Sequence, residues 1–108
     1  MASVIAITEQ KSVTTAGTAV QFTSNLPGLY EIKPLAGNGG SYIYVGNDGS
    51  TTGDVTSSNG YQLQKGLDTL LISVTNPKQL WLDADTDGDG ACIIRIAGDN
   101  TKEYPPTL

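Results

Sequence analysis

The chain of 108 residues contains no histidine and only one cysteine, Cys92. Without histidine there is no base for a Ser–His or Cys–His nucleophilic pair and no imidazole ligand for zinc. One cysteine can neither form an internal disulfide nor replace the missing metal ligands. Since Cys92 precedes Ile93 and Ile94, the local sequence predicts a small buried thiol in the core. We therefore expect a protein that is not an enzyme.

Charged side chains are also scarce, at 16% of the chain, and they are unevenly divided. Six Lys and Arg stand against eleven Asp and Glu, which gives a formal net charge of −5. Such a surface repels phosphate backbones and disfavours nucleic-acid binding. The first seven residues have no basic start, and their apolar run is shorter than a signal peptide or a membrane span requires. The sequence predicts no nucleic acid or membrane partner and a protein made in the cytoplasm.

Short segments with apolar residues at every second position are present in place of long hydrophobic runs, and this period is typical of strands with one buried face. Turn residues, mainly Gly, Asn, Asp and Pro, separate the segments about every ten residues. The pattern predicts a single all-β domain over residues 1–108, an antiparallel β-sandwich of the jelly-roll type with eight or nine short strands. The predicted strands lie at residues 3–8, 19–22, 29–32, 41–45, 61–64, 69–74, 79–82 and 91–96.

Three segments stand apart from these strands and could contact a partner. Residues 1–8 are either an ordinary first strand or an N-terminal arm that pairs with a neighbouring chain by β-augmentation. Residues 47–59 are polar except for Val55 and predict an exposed loop. Residues 98–108 contain two adjacent prolines and predict an extended C-terminal tail. The candidate protein-interface residues in the arm and the loop are Val4, Ile5, Ile7, Asp48 and Asp54.

Residues 83–90, with the sequence DADTDGDG, form the sharpest local motif. Their spacing matches the first half of a calcium-binding loop, but Ile94 occupies the position that needs a bidentate Glu, so an EF-hand is excluded. A looser calcium site could use Asp83, Asp85 and Asp87. The alternative is an acidic hairpin turn whose Asp side chains bond nearby amides, with no cofactor.

Four tyrosines and the tryptophan lie in predicted strands or next to them and allow two interpretations. They could form a face on which sugar rings stack, or they could fill the core or a protein interface. The sequence favours the core or a protein interface. The residues are Tyr30, Tyr42, Tyr44, Tyr61 and Trp81.

In their order, the motifs between residues 13 and 96 resemble small virion proteins of tailed bacteriophages, of the capsid decoration (cement) and head-fibre type. The motifs are VTTAGTAV at 13–20, YIYVG at 42–46, SNGYQL at 58–63, ISVTN at 72–76, LWLDAD at 80–85 and GDG at 88–90. The resemblance implies a β-sandwich that coats the outside of a capsid, often as a homotrimer near local three-fold positions. Similar modules also occur in head fibres and tails.

The combined expectation is a structural virion protein that binds the major capsid protein on the outer capsid surface and stabilises the shell after assembly in the host cytoplasm. The alternative is a receptor- or carbohydrate-binding module of a head fibre or tail. Exposed aromatic residues clustered at one loop end would favour that alternative.

Overall fold

The computed structural model describes residues 6–50 and 54–97. In this part of the chain the regular structure is eight strands and one 3₁₀ turn at Pro77–Gln79, and no helix is long and apolar enough to cross a membrane. The strands are β1 (Thr8–Ser12), β2 (Val20–Gln21), β3 (Gly28–Pro34), β4 (Tyr42–Gly46), β5 (Tyr61–Gln64), β6 (Leu70–Val74), β7 (Trp81–Ala84) and β8 (Gly90–Ala97).

The strands form two four-stranded antiparallel sheets. Sheet A has the order β1-β8-β3-β6, and sheet B has the order β2-β7-β4-β5. Each strand of the first half pairs with its counterpart counted from the other end of the chain, β1 with β8, β2 with β7, β3 with β6 and β4 with β5. A long hairpin wound over on itself in this way is a jelly roll. The predicted β-sandwich is confirmed, with eight strands in residues 6–50 and 54–97.

One apolar core lies between the sheets and is built by the alternation predicted from the sequence. In β3, for example, Tyr30 and Ile32 are buried, whereas Lys33 is exposed. The Tyr30 hydroxyl donates a hydrogen bond to the carbonyl of Leu26 at 2.8 Å, which satisfies the one polar atom of this core side chain. The other large core residues are Val13, Phe22, Ile43, Val45, Leu63, Val74, Leu80, Leu82 and Ile93.

The connections divide into two ends of the sandwich. The aspartate end holds the loops β1–β2, β3–β4, β5–β6 and β7–β8, and it contains Asp83, Asp85, Asp87 and Asp89. The terminal end holds the loops β2–β3, β4–β5 and β6–β7, and there the chain enters β1 and leaves β8. Hydrogen bonds within each end support this division, for example from the Asn47 side chain to the carbonyl of Gln79 at 3.0 Å.

Two predictions about individual segments were wrong. The first described strand runs from Thr8 to Ser12 and overlaps the predicted 3–8 only at Thr8, while residues 3–5 of that prediction lie outside the described part. Cys92 is not a core residue: it is half-buried, because the inward positions of β8 belong to its neighbours Ala91 and Ile93. The predicted tail at 98–108 also lies outside the described part.

Candidate functional site

The acidic motif lies in the β7–β8 connection, where the chain crosses from sheet B to sheet A. The sequence predicted an acidic hairpin turn as the alternative to a calcium site. This alternative is wrong in one respect, because the motif does not join two strands that pair with each other. Asp83 is buried, and its Oδ1 accepts hydrogen bonds from the amides of Gly17 at 2.9 Å and Ala84 at 2.8 Å. Asp87 accepts from the amide of Ala16 at 2.8 Å. These bonds fasten the β1–β2 loop to the acidic connection.

Asp89 fastens a second loop. Its two carboxylate oxygens accept hydrogen bonds from the amides of Gly39 and Gly40, each at 2.8 Å. The buried side chain of Asn38 also donates to the carbonyl of Gly90 and accepts from the Gly90 amide. Carboxylates that accept backbone N–H bonds satisfy polar groups that would otherwise be buried without a partner. The β3–β4 loop is thus held to the start of β8.

The three predicted calcium ligands do not converge in the structure. Asp83 and Asp87 bind different amides of the β1–β2 loop, and Oδ2 of Asp85 accepts from the Tyr44 hydroxyl at 2.9 Å. In residues 6–50 and 54–97 no group of three or more acidic, histidine or cysteine side chains could hold a metal ion. Calcium binding at these residues stays a prediction. What the geometry supports is a set of carboxylates that tie loops together.

Of the predicted arm residues, Val4 and Ile5 lie outside the described part of the chain. The carbonyl of Ile7 accepts a hydrogen bond from the amide of Arg95 at 2.8 Å, and the amide of Ala6 donates to the carbonyl of Arg95 at 2.6 Å. Residues 6 and 7 are therefore held to β8 by hydrogen bonds just before β1 begins. An arm, if it acts in binding, lies before residue 6.

The two loop residues predicted to contact a partner, Asp48 and Asp54, are both exposed at the terminal end. Asp48 accepts hydrogen bonds from the Ser50 hydroxyl and the Ser50 amide, and these bonds hold the pKa of Asp48 below its ordinary value. The structure therefore brings Ile7, Asp48 and Asp54 to the same end of the sandwich. Their role as interface residues stays a prediction.

The β4–β5 loop is not wholly exposed, contrary to the prediction for residues 47–59. Val55 is only 2% exposed, although it lies outside the main core. It packs on the outer face of sheet B, since a Cβ added at Gly60 would come within 2.6 Å of the Tyr44 Cβ and 2.7 Å of the Val55 Cγ2. A single valine thus anchors this loop over Tyr44.

The five aromatic residues separate into three environments. Tyr30 is in the core, and Tyr61 is 62% exposed at the start of β5. Tyr42, Tyr44 and Trp81 share the outer face of sheet B by strand alternation and register. Tyr44 is buried there, and burial, followed by the hydrogen bond to Asp85, raises its pKa. Only Tyr42 and Trp81, both half-buried, remain to contact a ligand on this face.

The outer face of sheet A was not singled out by the sequence. Its outward side chains include Cys92, Ile94 and Ile96 on β8 and Leu71 on β6, and Leu71 and Ile96 are 47% and 42% exposed. Glu31 and Lys33 point outward from β3 beside them. The nearly continuous apolar run ACIIRI at 91–96 is typical of a strand that is buried on both faces. The hydrophobic pattern therefore does not predict that one face of β8 is exposed. Exposed apolar positions of this kind mark interaction surfaces when they are contiguous.

Comparison with protein-family models, with curated proteins and with solved structures finds no match to this chain.

Proposed function

We propose that this protein is a bacteriophage capsid decoration protein, a structural virion protein that binds the outside of the major capsid shell and stabilises it. The observation that carries the proposal is the gathering of the predicted contact residues at the terminal end. Ile7, Asp48 and Asp54 lie at the end where the chain enters β1 and leaves β8. The chain therefore enters and leaves the sandwich at the same end as the β4–β5 loop.

The jelly roll suits this task because it presents loops and chain ends on a rigid two-sheet body. Viral capsid and lectin domains use the same architecture, although fold alone does not assign function. A protein that binds several shell subunits at once stabilises their seams, since the bound state is favoured by mass action. Several modest contacts then add by multivalency. A homotrimer, as the resemblance implies, would supply three such contacts.

The aspartate end supports a binding role rather than a catalytic one. Its carboxylates accept hydrogen bonds from backbone amides of neighbouring loops, which is what a rigid structural end requires. The net charge of −5 would keep free copies soluble and away from packaged DNA.

The proposal is tested by co-sedimentation with purified empty phage shells. We expect a chain lacking residues 1–5 to keep its far-ultraviolet circular dichroism spectrum but to lose most of its shell binding. The paired variant Asp48→Lys and Asp54→Lys should weaken binding if the loop contributes. Gln62→Lys, on the outer face of sheet B, is the matched control and should bind like the unmodified chain. Unchanged binding of both the truncated chain and the loop variant would contradict the proposal.

A second candidate, a carbohydrate-binding module of a head fibre or tail, is favoured by the outer face of sheet B. Tyr42 and Trp81 share this face with Gln62 and Gln64, which could supply hydrogen bonds to hydroxyl groups. Binding of the unmodified chain and of Trp81→Ala to a glycan array distinguishes the two candidate functions. Glycan binding that depends on Trp81, together with no binding to shells, would favour the second.

A further inference from the structure

The outward side chains of sheet A lie in two adjacent rows across the strands. Register places Thr8, Ile94, Glu31 and Leu71 in one row. The next row, two residues along each strand, contains Gln10, Cys92 and Lys33. Each row therefore carries, from β1 to β3, one polar, one apolar and one charged side chain, and the two charges are of opposite sign.

This arrangement is complementary to itself under one particular rotation. A two-fold axis that lies in the interface, perpendicular to the strands and midway between the rows, places each strand opposite its own copy, running in the reverse direction. One row then faces the other. Glu31 of each copy meets Lys33 of its partner, Ile94 meets Cys92, and Thr8 meets Gln10. Isologous interfaces have this property, in which residue i contacts j and j contacts i.

The surface leaves room for the side chains of a second copy. The two rows line a shallow depression of about 410 Å³ whose lining includes Cys92, Ile94, Glu31 and Lys33. Sheets packed face to face lie about 10 Å apart, a gap that a Lys and a Glu side chain can span together. The aliphatic stem of a partner's Lys33 would cover the apolar lining while its ammonium group reaches Glu31.

The charged side chains of the two rows favour a second copy of this chain as the partner at this face. The chain carries a net charge of −5, so two copies repel each other through most approaches. The two rows contain one acidic and one basic side chain and are therefore neutral. The first row ends at the exposed side chain of Leu71, and the exposed Ile96 lies beside this row on β8.

We propose that the outer face of sheet A is a two-fold interface between two copies of this chain, in which Glu31 of each copy pairs with Lys33 of the other. The interface is independent of the shell-binding proposal, which uses the terminal end. It is also distinct from the homotrimer that the resemblance implies.

Charge reversal tests the pairing directly. Glu31→Lys places two Lys–Lys contacts in the interface, and Lys33→Glu places two Glu–Glu contacts there. We expect each variant alone to dimerise at least about tenfold more weakly than the unmodified chain, because facing like charges oppose association. An equal mixture of the two should dimerise again, since both contacts become complementary. The double variant should also recover. Mass is measured by analytical ultracentrifugation over a range of concentrations.

The mixture is a demanding test because both variants keep a net negative charge, so long-range attraction cannot explain their association. Gln62→Lys and Gln62→Glu, on the outer face of sheet B, are the matched controls and should leave the mass unchanged. Circular dichroism establishes that each variant is folded. Reaction of Cys92 with a maleimide provides a second measurement: it should slow as dimers form and should return to the monomer rate in Glu31→Lys.

Four results would overturn the proposal. They are a monomer at every concentration, a trimer whose Cys92 reacts at the rate of the monomer, a mixture of the two variants that does not associate, and an equal effect of the Gln62 controls. A stable complex with another protein that protects Cys92, while the chain alone stays monomeric, would assign this face to that partner instead.

Discussion

At the scale of single residues, Glu9 shows how one side chain fastens the β2–β3 loop, which joins the two sheets, to β1. It lies on β1 of sheet A, and its carboxylate accepts four hydrogen bonds at 2.7 to 3.0 Å, together with one of 3.2 Å, from the amides and hydroxyls of Thr23 and Ser24. Partial burial acts to raise the pKa of Glu9, but these hydrogen bonds outweigh it and leave the pKa below its ordinary value.

The sign of this shift sets a pH dependence. A carboxylate whose pKa is lowered by folding stabilises the protein above its unfolded-state pKa of about 4.3, and this contribution is lost as the pH falls through the folded-state pKa. We expect Glu9→Gln to lower the free energy of unfolding by about 1–2 kcal/mol at pH 7 and to weaken its dependence on acid. Urea unfolding at pH 7, 5 and 3 measures both effects. Asp54→Asn, which removes an exposed carboxylate, is the control, and coincident curves for Glu9→Gln and the unmodified chain would contradict the prediction.

Gly90 is required because the chain passes too close to β1 for a side chain. A Cβ at this position would lie 2.1 Å from the carbonyl oxygen of Lys11 and 2.9 Å from the Ser12 Cα, both of them backbone atoms that cannot turn away. We expect Gly90→Ala to lower the free energy of unfolding by about 2–3 kcal/mol or more. Gly37→Ala, which would meet nothing within 4 Å, is the control. Thermal melts in which the two variants match would show that β1 and β8 can separate at little cost.

At the scale of elements, the β4–β5 loop depends on Val55 for its position. Burial of a valine stabilises by about 1.5–3 kcal/mol, so we expect Val55→Ala to remove roughly half of this and to expose Tyr44 beneath it. Thermal melting gives the loss, and tyrosine absorbance during a pH titration gives the exposure, since the pKa of Tyr44 should move back towards its ordinary value. Ser57→Ala, in the same loop, should change neither. A stable variant with an unchanged titration would mean that the loop is held by other contacts.

The β7–β8 connection allows the calcium alternative to be decided. Because its carboxylates already accept backbone hydrogen bonds, we expect millimolar calcium to leave the melting temperature unchanged. Asp89→Ala should cost about 2–3 kcal/mol whether calcium is present or not, since it removes both charge-assisted hydrogen bonds to the amides of Gly39 and Gly40. Isothermal titration calorimetry provides the direct measurement. Heat of binding that disappears in the Asp83→Asn and Asp87→Asn variants would restore the calcium site.

The elements that sequence reasoning located best are those with one apolar and one polar face. β5 was predicted at its observed bounds, 61–64, because Leu63 alternates with polar neighbours. β1 was misplaced because TEQKS is polar on both faces, and only its pairing with β8 makes it a strand. The loop position of Val55 was missed because one apolar residue in a polar run has no period.

The candidate site was predictable only in part, for a related reason. The aspartates were identified, and local turn chemistry led us to expect that they bind neighbouring amides. Only the bond from the Ala84 amide to Asp83 is of this kind, and the other amides bound by Asp83, Asp87 and Asp89 are 49 to 71 residues away in sequence. Such partners follow from the order of the strands, and no local motif encodes that order.

At the scale of the whole molecule, the two proposed surfaces have a joint geometrical consequence. The strands of paired copies run in opposite directions, so their terminal ends point away from each other. A pair can therefore contact a shell through only one copy, and the second copy projects outward. If both proposals hold, Glu31→Lys should bind shells with about half the copies of the unmodified chain at saturating concentration. Densitometry of sedimented shells measures the ratio, with Gln62→Lys as the control, and equal occupancy would exclude simultaneous use of the two surfaces.

The strand order also has a consequence for how the protein is made. β8 lies inside sheet A, between β1 and β3, although it is the last of the eight described strands to be synthesised. β1 pairs only with β8 in sheet A, so Thr8 has no strand partner until Ile94, which lies 86 residues later, has been synthesised. Such distant closures slow folding, because the entropy of a long loop is lost before any contact compensates for it. A nascent chain therefore cannot complete sheet A, and only finished copies can acquire the two-row face through which we propose that they meet.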